Sequence, residues 1–242
     1  MKVCYVENIC SILCTPMTPT HFFFDVDSTI ITRESLEDMI ALSIADEKDQ
    51  TVKDALLTKL TAITNAGMNG EIDFAESLQK RLALAPVTKN HMNTVTARML
   101  EEITEGMEDF IRALQDRGHN TWLLTAGIRE MMLPLAEKLQ IPPQRIIAND
   151  PLWTDGRLTG VQPSPILSTG GKAEILRAMK EAKAIEGMII MIGDGASDLR
   201  TFTSGVVDDF YGFGAHAVRS NVQKHAPHFC HSVAEIREYL DL

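Results

Sequence analysis

Two aspartates, Asp25 and Asp27, directly follow a run of three phenylalanines at Phe22–Phe24. A buried strand of a parallel sheet reads as an unbroken apolar run, and ligands bind outside the carboxyl ends of such strands. Residues i and i+2 of a strand share a face, so both carboxylates point into one site if the extended backbone persists. Carboxylates that close repel each other unless a metal, a shared proton or a cation lies between them. A strand ending in a polar turn would show the same pattern, so residues elsewhere must decide.

Four more polar residues stand at the ends of predicted elements. Thr125 ends a short apolar strand, Lys172 opens a helix, and Asp194 and Asp198 follow the apolar run Met188–Ile192. Each by itself is compatible with a purely structural role in a strand end, a solvated first turn or a loop. Together they meet the demand of phosphoryl transfer from a monoester, in which catalysis depends on positioning and charge neutralisation.

The residue types suggest a division of roles. Asp25 is placed to attack phosphorus and form an aspartyl-phosphate, while Asp27 protonates the leaving alkoxide and then activates water. Mg²⁺ prefers carboxylate, water and phosphate oxygens; Asp25 and Asp194 supply carboxylates, and Asp27 is counted among the predicted metal ligands. The Thr125 hydroxyl, the Lys172 ammonium and nearby backbone N–H groups hold the transferring oxygens.

The same residues carry a family resemblance that extends from about Phe22 to Leu240. Four ordered segments resemble the motifs of the haloacid dehalogenase superfamily: Asp25-Val26-Asp27-Ser28-Thr29, Leu123-Leu124-Thr125-Ala126-Gly127, Gly170-Gly171-Lys172 and Gly193-Asp194-Gly195-Ala196-Ser197-Asp198. The first motif, with a helical insertion directly after it, resembles the phosphoserine phosphatase branch. The resemblance implies a Mg²⁺-dependent enzyme of serine biosynthesis that converts O-phospho-L-serine to L-serine and phosphate. It places Asp198 behind the metal ligands.

In that branch the helical insertion, or cap, selects the substrate. By resemblance Glu34 meets the substrate amino group, Arg81 meets the carboxylate, and Met68 and Phe74 close over the site. Helical periodicity independently turns Arg81 toward the Phe74 side, because the two residues are seven positions apart. An arginine at the edge of an apolar stripe can also extend its charged end to solvent, and that alternative stays open.

The resemblance assigns further substrate contacts to Thr125, Ala126, Gly127, Lys172 and Ser197. Two of these positions depart from the common pattern. The second motif often reads Ser-Gly-Gly, whereas this chain has a threonine that keeps the hydroxyl and Ala126, which keeps its N–H in place if φ stays negative. Ser197 stands where asparagine or threonine is common, which puts rate and substrate choice in question.

The order of elements predicts an α/β fold, a Rossmann-like parallel sheet with helices on both faces and an inserted helical-bundle cap. Strands alternate with helices from Gly106 onward, whereas residues 34–100 contain only helix patterns. We therefore predict an N-terminal extension at 1–20, an α/β core at 21–33 and 101–242, and a cap at 34–100. The 242 residues, 45% of them hydrophobic, suffice for one domain with an insertion.

Composition narrows the class of partner. The net charge of −10 and the lack of a Lys/Arg-rich run argue against nucleic acid, and no stretch approaches the length of a membrane span. The cysteines show no zinc-site spacing and are predicted to be free thiols of a cytoplasmic protein, a monomer or homodimer that binds a small phosphomonoester. Two alternatives remain: a phosphatase or phosphotransferase for another small phosphomonoester, and a non-catalytic phosphate-binding protein, which would be expected to lack Asp25 or Asp27.

Overall fold

The structure is a computed structural model that describes residues 18–68 and 71–242, apart from the side chain of Met68. Most of the predicted extension at 1–20 therefore lies outside the described residues, as do Cys4, Cys10 and Cys14. Cys230 is buried and free. Within the described ranges, no helix has both the length and the apolar character needed to cross a membrane.

A six-stranded sheet forms the centre of the molecule, and all of its neighbouring strands are parallel, which confirms the predicted α/β class. The spatial order is β3-β2-β1-β6-β7-β8, so the chain builds outward from β1 in both directions. The strands are β1 His21–Phe24, β2 Asn120–Ile128, β3 Ile146–Asn149, β6 Ile189–Gly193, β7 Asp209–Phe213 and β8 His228–Cys230.

The central strand β1 is apolar throughout because both faces of the sheet are covered. Phe22 and Phe24 belong to one buried cluster, and Phe23 belongs to the cluster on the opposite face. Helices supply the two covering layers: α5 Met107–Asp116, α6 Arg129–Lys138, α7 Gly171–Glu181, α8 Ala196–Thr203, α9 Ser220–His225 and α10 Val233–Tyr239. Helix α5 stops as predicted at Gly118, whose φ of +81° terminates the helix.

Along the chain, four helices follow β1 before the next strand of the sheet begins, and we call them the cap. They are α1 Ser35–Ala45, α2 Gln50–Met68, α3 Phe74–Leu82 and α4 Lys89–Glu101. Local capping fixes the starts of α3 and α4, since Asp73 accepts from the N–H of Glu76 (2.7 Å) and Thr88 forms a reciprocal capping box with His91. Two crossing segments connect the cap to the core. They are bridged at Ile31 and Ile103.

The predicted hairpin around Asp155-Gly156 is present as β4 Pro151–Thr154 and β5 Arg157–Val161. It lies outside the main sheet and contacts the cap, because the N–H of Leu158 donates to the carbonyl of Val87 (2.9 Å). Lys89 lies over the Trp153 ring, 4.2 Å from its centroid. The hairpin therefore links the cap to the core at a second place.

Candidate active site

Strand register brings the predicted catalytic residues to one edge of the sheet. Phe24 pairs with Leu123 of β2 and with Ile192 of β6, so Asp25, Thr125 and Asp194 follow within one or two residues of the same level. The strand order changes direction at β1, the position at which doubly wound sheets open a crevice. All three side chains line one cavity of about 500 Å³ between the sheet edge and the cap.

The backbone after Asp25 does not stay extended, contrary to the assumption by which the two aspartates would share a strand face. Residues Val26–Ile30 form a turn whose backbone angles are not helical at Asp27 and Ser28, and Ser28 has a φ of 55°, in the left-handed region. Asp27 nevertheless lines the same cavity. The turn, rather than strand periodicity, aims the second carboxylate.

Lys172 is a buried cation that lies among the carboxylates of the site. Its Nζ lies 2.8 Å from Asp25 Oδ1 and 2.6 Å from Asp198 Oδ1. Burial alone lowers the pKa of Lys172, but the two facing carboxylates outweigh that effect and raise it. The start of α7 packs closely because Gly171 has no side chain: a Cβ there would lie 1.7 Å from the carbonyl oxygen of Pro165.

Three carboxylates, Asp25, Asp194 and Asp198, converge so that one oxygen of each lies within 4.8 Å of the others. Burial, then the neighbouring Asp25 and Asp198, raise the pKa of Asp194 to about 8. Burial likewise raises the pKa of Asp198 to about 6, against the opposing effect of Lys172. A buried all-oxygen donor set under mutual repulsion fits a hard divalent cation such as Mg²⁺. Two predicted ligands thus lie together, with Asp198 as the third carboxylate.

The side chain of Asp27 lies apart from this cluster and binds the first residue of α1. Its Oδ1 accepts from Ser35 N (3.2 Å) and its Oδ2 from Ser35 Oγ (3.0 Å). Burial raises the pKa of Asp27 well above its usual value, and the charges of Glu34 and Asp25 raise it further. A carboxyl group with a raised pKa can carry a proton near neutral pH, as a general acid must.

Thr125-Ala126-Gly127 belongs to the last part of β2, where the pairing with β3 is irregular, and it presents a hydroxyl to the cavity. The strand thus continues beyond Thr125, where the sequence predicted its end. The N–H of Gly127 donates to Thr125 Oγ1 (3.0 Å), so the hydroxyl proton of Thr125 stays free to donate elsewhere. The Asn149 side chain donates to the Ala126 carbonyl (2.6 Å) and holds this part of the strand. The φ of Ala126 is not positive, so Ala126 meets the condition under which it keeps its N–H in the position that the family motif uses.

The cap places opposite charges over this edge. Glu34 accepts from Ser28 Oγ (2.8 Å) and from Arg219 (3.4 Å), and burial raises its pKa. Arg81 is only 7% exposed, and its guanidinium carbon lies 5.8 Å from the centre of the Phe74 ring. Arg81 therefore points inward rather than to solvent.

Other predicted contact residues fall into two groups. Phe74, Ala126, Gly127, Lys172 and Ser197 all line the cavity together with Glu34 and Arg81. The side chain of Met68, predicted to close over the site, lies outside the described residues.

Arg219 is a residue of the site that the sequence reasoning missed. Its guanidinium donates to Asp194 Oδ2 (3.2 Å) and Glu34 Oε1 (3.4 Å), which joins the carboxylate cluster to the cap. It directly precedes α9, beyond β7, a strand for which no residues were predicted. The aromatic run Phe210–Phe213 could have predicted strand β7 and so the position of Arg219 beyond its end. Ser35 and Asn149 were missed as well, because neither belongs to a motif.

Comparison with known proteins is consistent with this geometry. The family model described as haloacid dehalogenase-like hydrolase matches residues 22–203. The phosphoserine phosphatase of Homo sapiens is 29% identical over 215 residues, 88% of this chain and 89% of the human protein.

Two solved structures extend the likeness to the fold. A phosphoserine phosphohydrolase-like protein from Francisella tularensis superposes with a TM-score of 0.78 at 30% identity, covering 93% of this chain and 100% of that one. A structure described as the phospho-aspartyl intermediate analogue of phosphoserine phosphatase gives 0.74 at 25% identity, covering 92% and 99%. The chain therefore belongs to the haloacid dehalogenase-like hydrolase family, and the relatives that it resembles over nearly its whole length include phosphoserine phosphatases.

Proposed function

We propose that this protein is a Mg²⁺-dependent phosphatase that hydrolyses O-phospho-L-serine to L-serine and phosphate through an aspartyl-phosphate. One observation carries the choice of substrate. Arg81 is buried at the cavity, and its Nε donates to the Ser77 carbonyl (3.3 Å). The charges of Glu37, Glu34 and Asp27 act on Arg81, but no carboxylate of the described residues lies at ion-pair distance from its guanidinium. A buried guanidinium is costly unless a carboxylate pairs with it, and the carboxylate of phosphoserine has the required charge.

The opposite end of the substrate is matched by Glu34. This carboxylate is held by Ser28 and Arg219 and faces the same cavity, where an ammonium group would be a second positively charged partner. The phosphate would lie at the sheet edge beside Lys172 and Thr125. A zwitterion with a phosphate ester satisfies all three charged regions together.

Each residue has a definite task in the proposed mechanism. Asp25 attacks phosphorus as the bond to the serine oxygen breaks, and Asp27 gives its proton to that oxygen. Asp27 then accepts a proton from water, whose oxygen attacks the aspartyl-phosphate and releases phosphate. Lys172 and the Thr125 hydroxyl hold the phosphoryl oxygens throughout. Asp25 and Asp194 would hold Mg²⁺, which would neutralise charge on the transferring phosphoryl group, while Asp198 stays behind them, bound to Lys172.

The relatives of the chain support this proposal. The human relative and the analogue-bound structure both carry the name phosphoserine phosphatase, and the latter describes a phospho-aspartyl intermediate analogue. The intact pair of Asp25 and Asp27 argues against the non-catalytic alternative. Cytoplasmic location, the division at residues 34 and 101, and a monomeric or dimeric state stay predictions.

The test is phosphate release from a panel with Mg²⁺ or with EDTA. The panel holds O-phospho-L-serine, O-phospho-L-threonine, phosphoethanolamine, phosphocholine and p-nitrophenyl phosphate. We expect phosphoserine to have the highest kcat/KM by orders of magnitude, and EDTA to abolish turnover. If another ester leads, the assignments of Arg81 and Glu34 are wrong.

The nucleophile is tested by Asp25→Asn, which should abolish turnover while leaving the fold intact. Asp209→Asn is the matched control, because Asp209 begins β7 at the opposite edge of the sheet and pairs with His228 at 3.3 Å. Mass spectrometry of the acid-quenched enzyme should show a phosphoryl adduct at Asp25. Full activity of Asp25→Asn would refute the mechanism.

A further inference from the structure

The start of the first cap helix, α1, is capped by the core rather than by its own N-cap residue. Glu34 occupies the N-cap position, but its side chain makes no capping hydrogen bond and instead accepts from Ser28. The backbone N–H of Ser35 has no acceptor within the helix and donates to Asp27, eight residues earlier in the chain. Helix N-termini leave such N–H groups unpaired, and a carboxylate is a favourable partner for them.

The two contacts between Ser35 and Asp27 fix the plane of the carboxyl group. The backbone N–H holds Oδ1 at 3.2 Å, and the hydroxyl holds Oδ2 at 3.0 Å. The terminal torsion of an aspartate is broad, so without contacts the carboxyl group rotates easily. Ser35 is 1% exposed, so bulk water is not available to replace its hydroxyl.

We propose that Ser35 is a positioning residue that holds the carboxyl group of Asp27 in the orientation needed for proton transfer to the leaving group. The proposal rests on the acid–base role proposed for Asp27. Since Ser35 is the first residue of α1, it ties that orientation to the placement of the cap. Proton transfer requires hydrogen-bond geometry, so a freely rotating carboxyl group is a poorer acid.

The leaving group reports on this role. Alkoxide ions such as that of serine are poor leaving groups and need a proton, whereas p-nitrophenolate leaves without one. Complete general acid catalysis contributes about 10²- to 10⁴-fold, so loss of one of the two contacts should lower kcat/KM for alkyl phosphates by roughly 10- to 100-fold. For p-nitrophenyl phosphate the change should stay below about threefold, because little proton transfer is needed.

The experiment measures kcat/KM for p-nitrophenyl phosphate, phenyl phosphate and alkyl phosphates, which differ in leaving-group pKa. This constant reports the steps up to transfer onto Asp25, so the later hydrolysis does not enter. We expect log kcat/KM to fall more steeply with leaving-group pKa in Ser35→Ala than in the wild type. Ser35→Thr, which keeps the hydroxyl, should restore the shallow slope.

Ser43→Ala is the matched control. Ser43 lies on the same helix and is 3% exposed, but its hydroxyl has no hydrogen-bond partner among the described residues. Its slope should equal that of the wild type. Thermal unfolding of each variant shows that the compared proteins are folded at the assay temperature.

Asp27→Ala separates the two levels of the argument. If Asp27→Ala fails to steepen the slope, Asp27 is not the general acid and the proposed mechanism falls. If Asp27→Ala steepens the slope but Ser35→Ala lowers kcat/KM equally for all substrates, the role of Ser35 is merely structural and this inference is overturned. Steeper slopes in both, with recovery in Ser35→Thr, support it.

Discussion

Replacing Lys172 by methionine should destabilise the metal-free protein strongly, because the change leaves the carboxylates of Asp25 and Asp198 buried without their cation. Methionine keeps most of the side-chain volume, so the loss reports charge rather than packing. At an effective dielectric constant of about 20, each contact of 2.6–2.8 Å represents roughly 6 kcal/mol of attraction, largely offset by desolvation. Removal of one partner from a buried pair costs about 3–5 kcal/mol, which is the expected loss.

The pH of the measurement follows from the sign of the pKa shift. The pKa of Lys172 is raised, so its contribution to stability is fully present below its ordinary pKa of 10.5 and is lost only at higher pH. Urea unfolding at pH 8 in EDTA, followed by tryptophan fluorescence, therefore captures the whole effect. At pH 5 the loss should be smaller, since Asp198, whose pKa is raised to about 6 by burial, can take up a proton.

Lys80→Met is the matched control. Lys80 lies 2.7 Å from Glu76, as close as the Lys172 contacts, but both side chains are about half exposed. Its loss should be below about 0.5 kcal/mol, the usual value for an exposed pair on a helix. If Lys172→Met lost less than about 1 kcal/mol with an unchanged m-value, the idea that Lys172 balances a buried carboxylate cluster would be refuted.

Two further predictions concern ligands. Arg81→Ala should lower kcat/KM for phosphoserine by about 10- to 100-fold but barely change kcat/KM for phosphoethanolamine, which lacks the carboxylate. Glu34→Gln should lower kcat/KM for both substrates. If Arg81→Ala lowered kcat/KM equally for both substrates, the role of Arg81 would be contradicted. The Kd for Mg²⁺, measured by calorimetry, should weaken by up to about tenfold per pH unit below pH 8, where Asp194 is protonated. By linkage the raised pKa of Asp194 makes the metal-free protein less stable as pH rises from about 4 through 8, and Mg²⁺ should offset this loss; a flat profile would contradict the crowded cluster.

Much of the core could be predicted because its signals are local. The apolar run before Asp25, the strands ahead of Thr125 and Asp194, and the glycine before Lys172 each determine an element and its end. Parallel pairing then brings those ends to one edge, so the residues found together there are those that the motifs named. The hairpin around Asp155-Gly156 was equally readable, since its turn residues specify it.

Contacts between distant segments required the tertiary structure. Arg219 reaches Asp194 and Glu34 only because β7 pairs with β6 and the cap folds back over the sheet edge. No sequence period connects residues so far apart.

The first motif shows the same division on a smaller scale. The sequence by itself determined that Asp25 and Asp27 follow a buried strand, but periodicity assumed an extended backbone. In the structure the backbone instead turns at Ser28, and the Asp27 carboxyl group accepts a hydrogen bond from Ser35 at the start of the cap. Residue types therefore indicated which groups could do the chemistry, whereas the orientation of those groups depends on backbone turns and long-range packing, whose energies are summed over the whole fold.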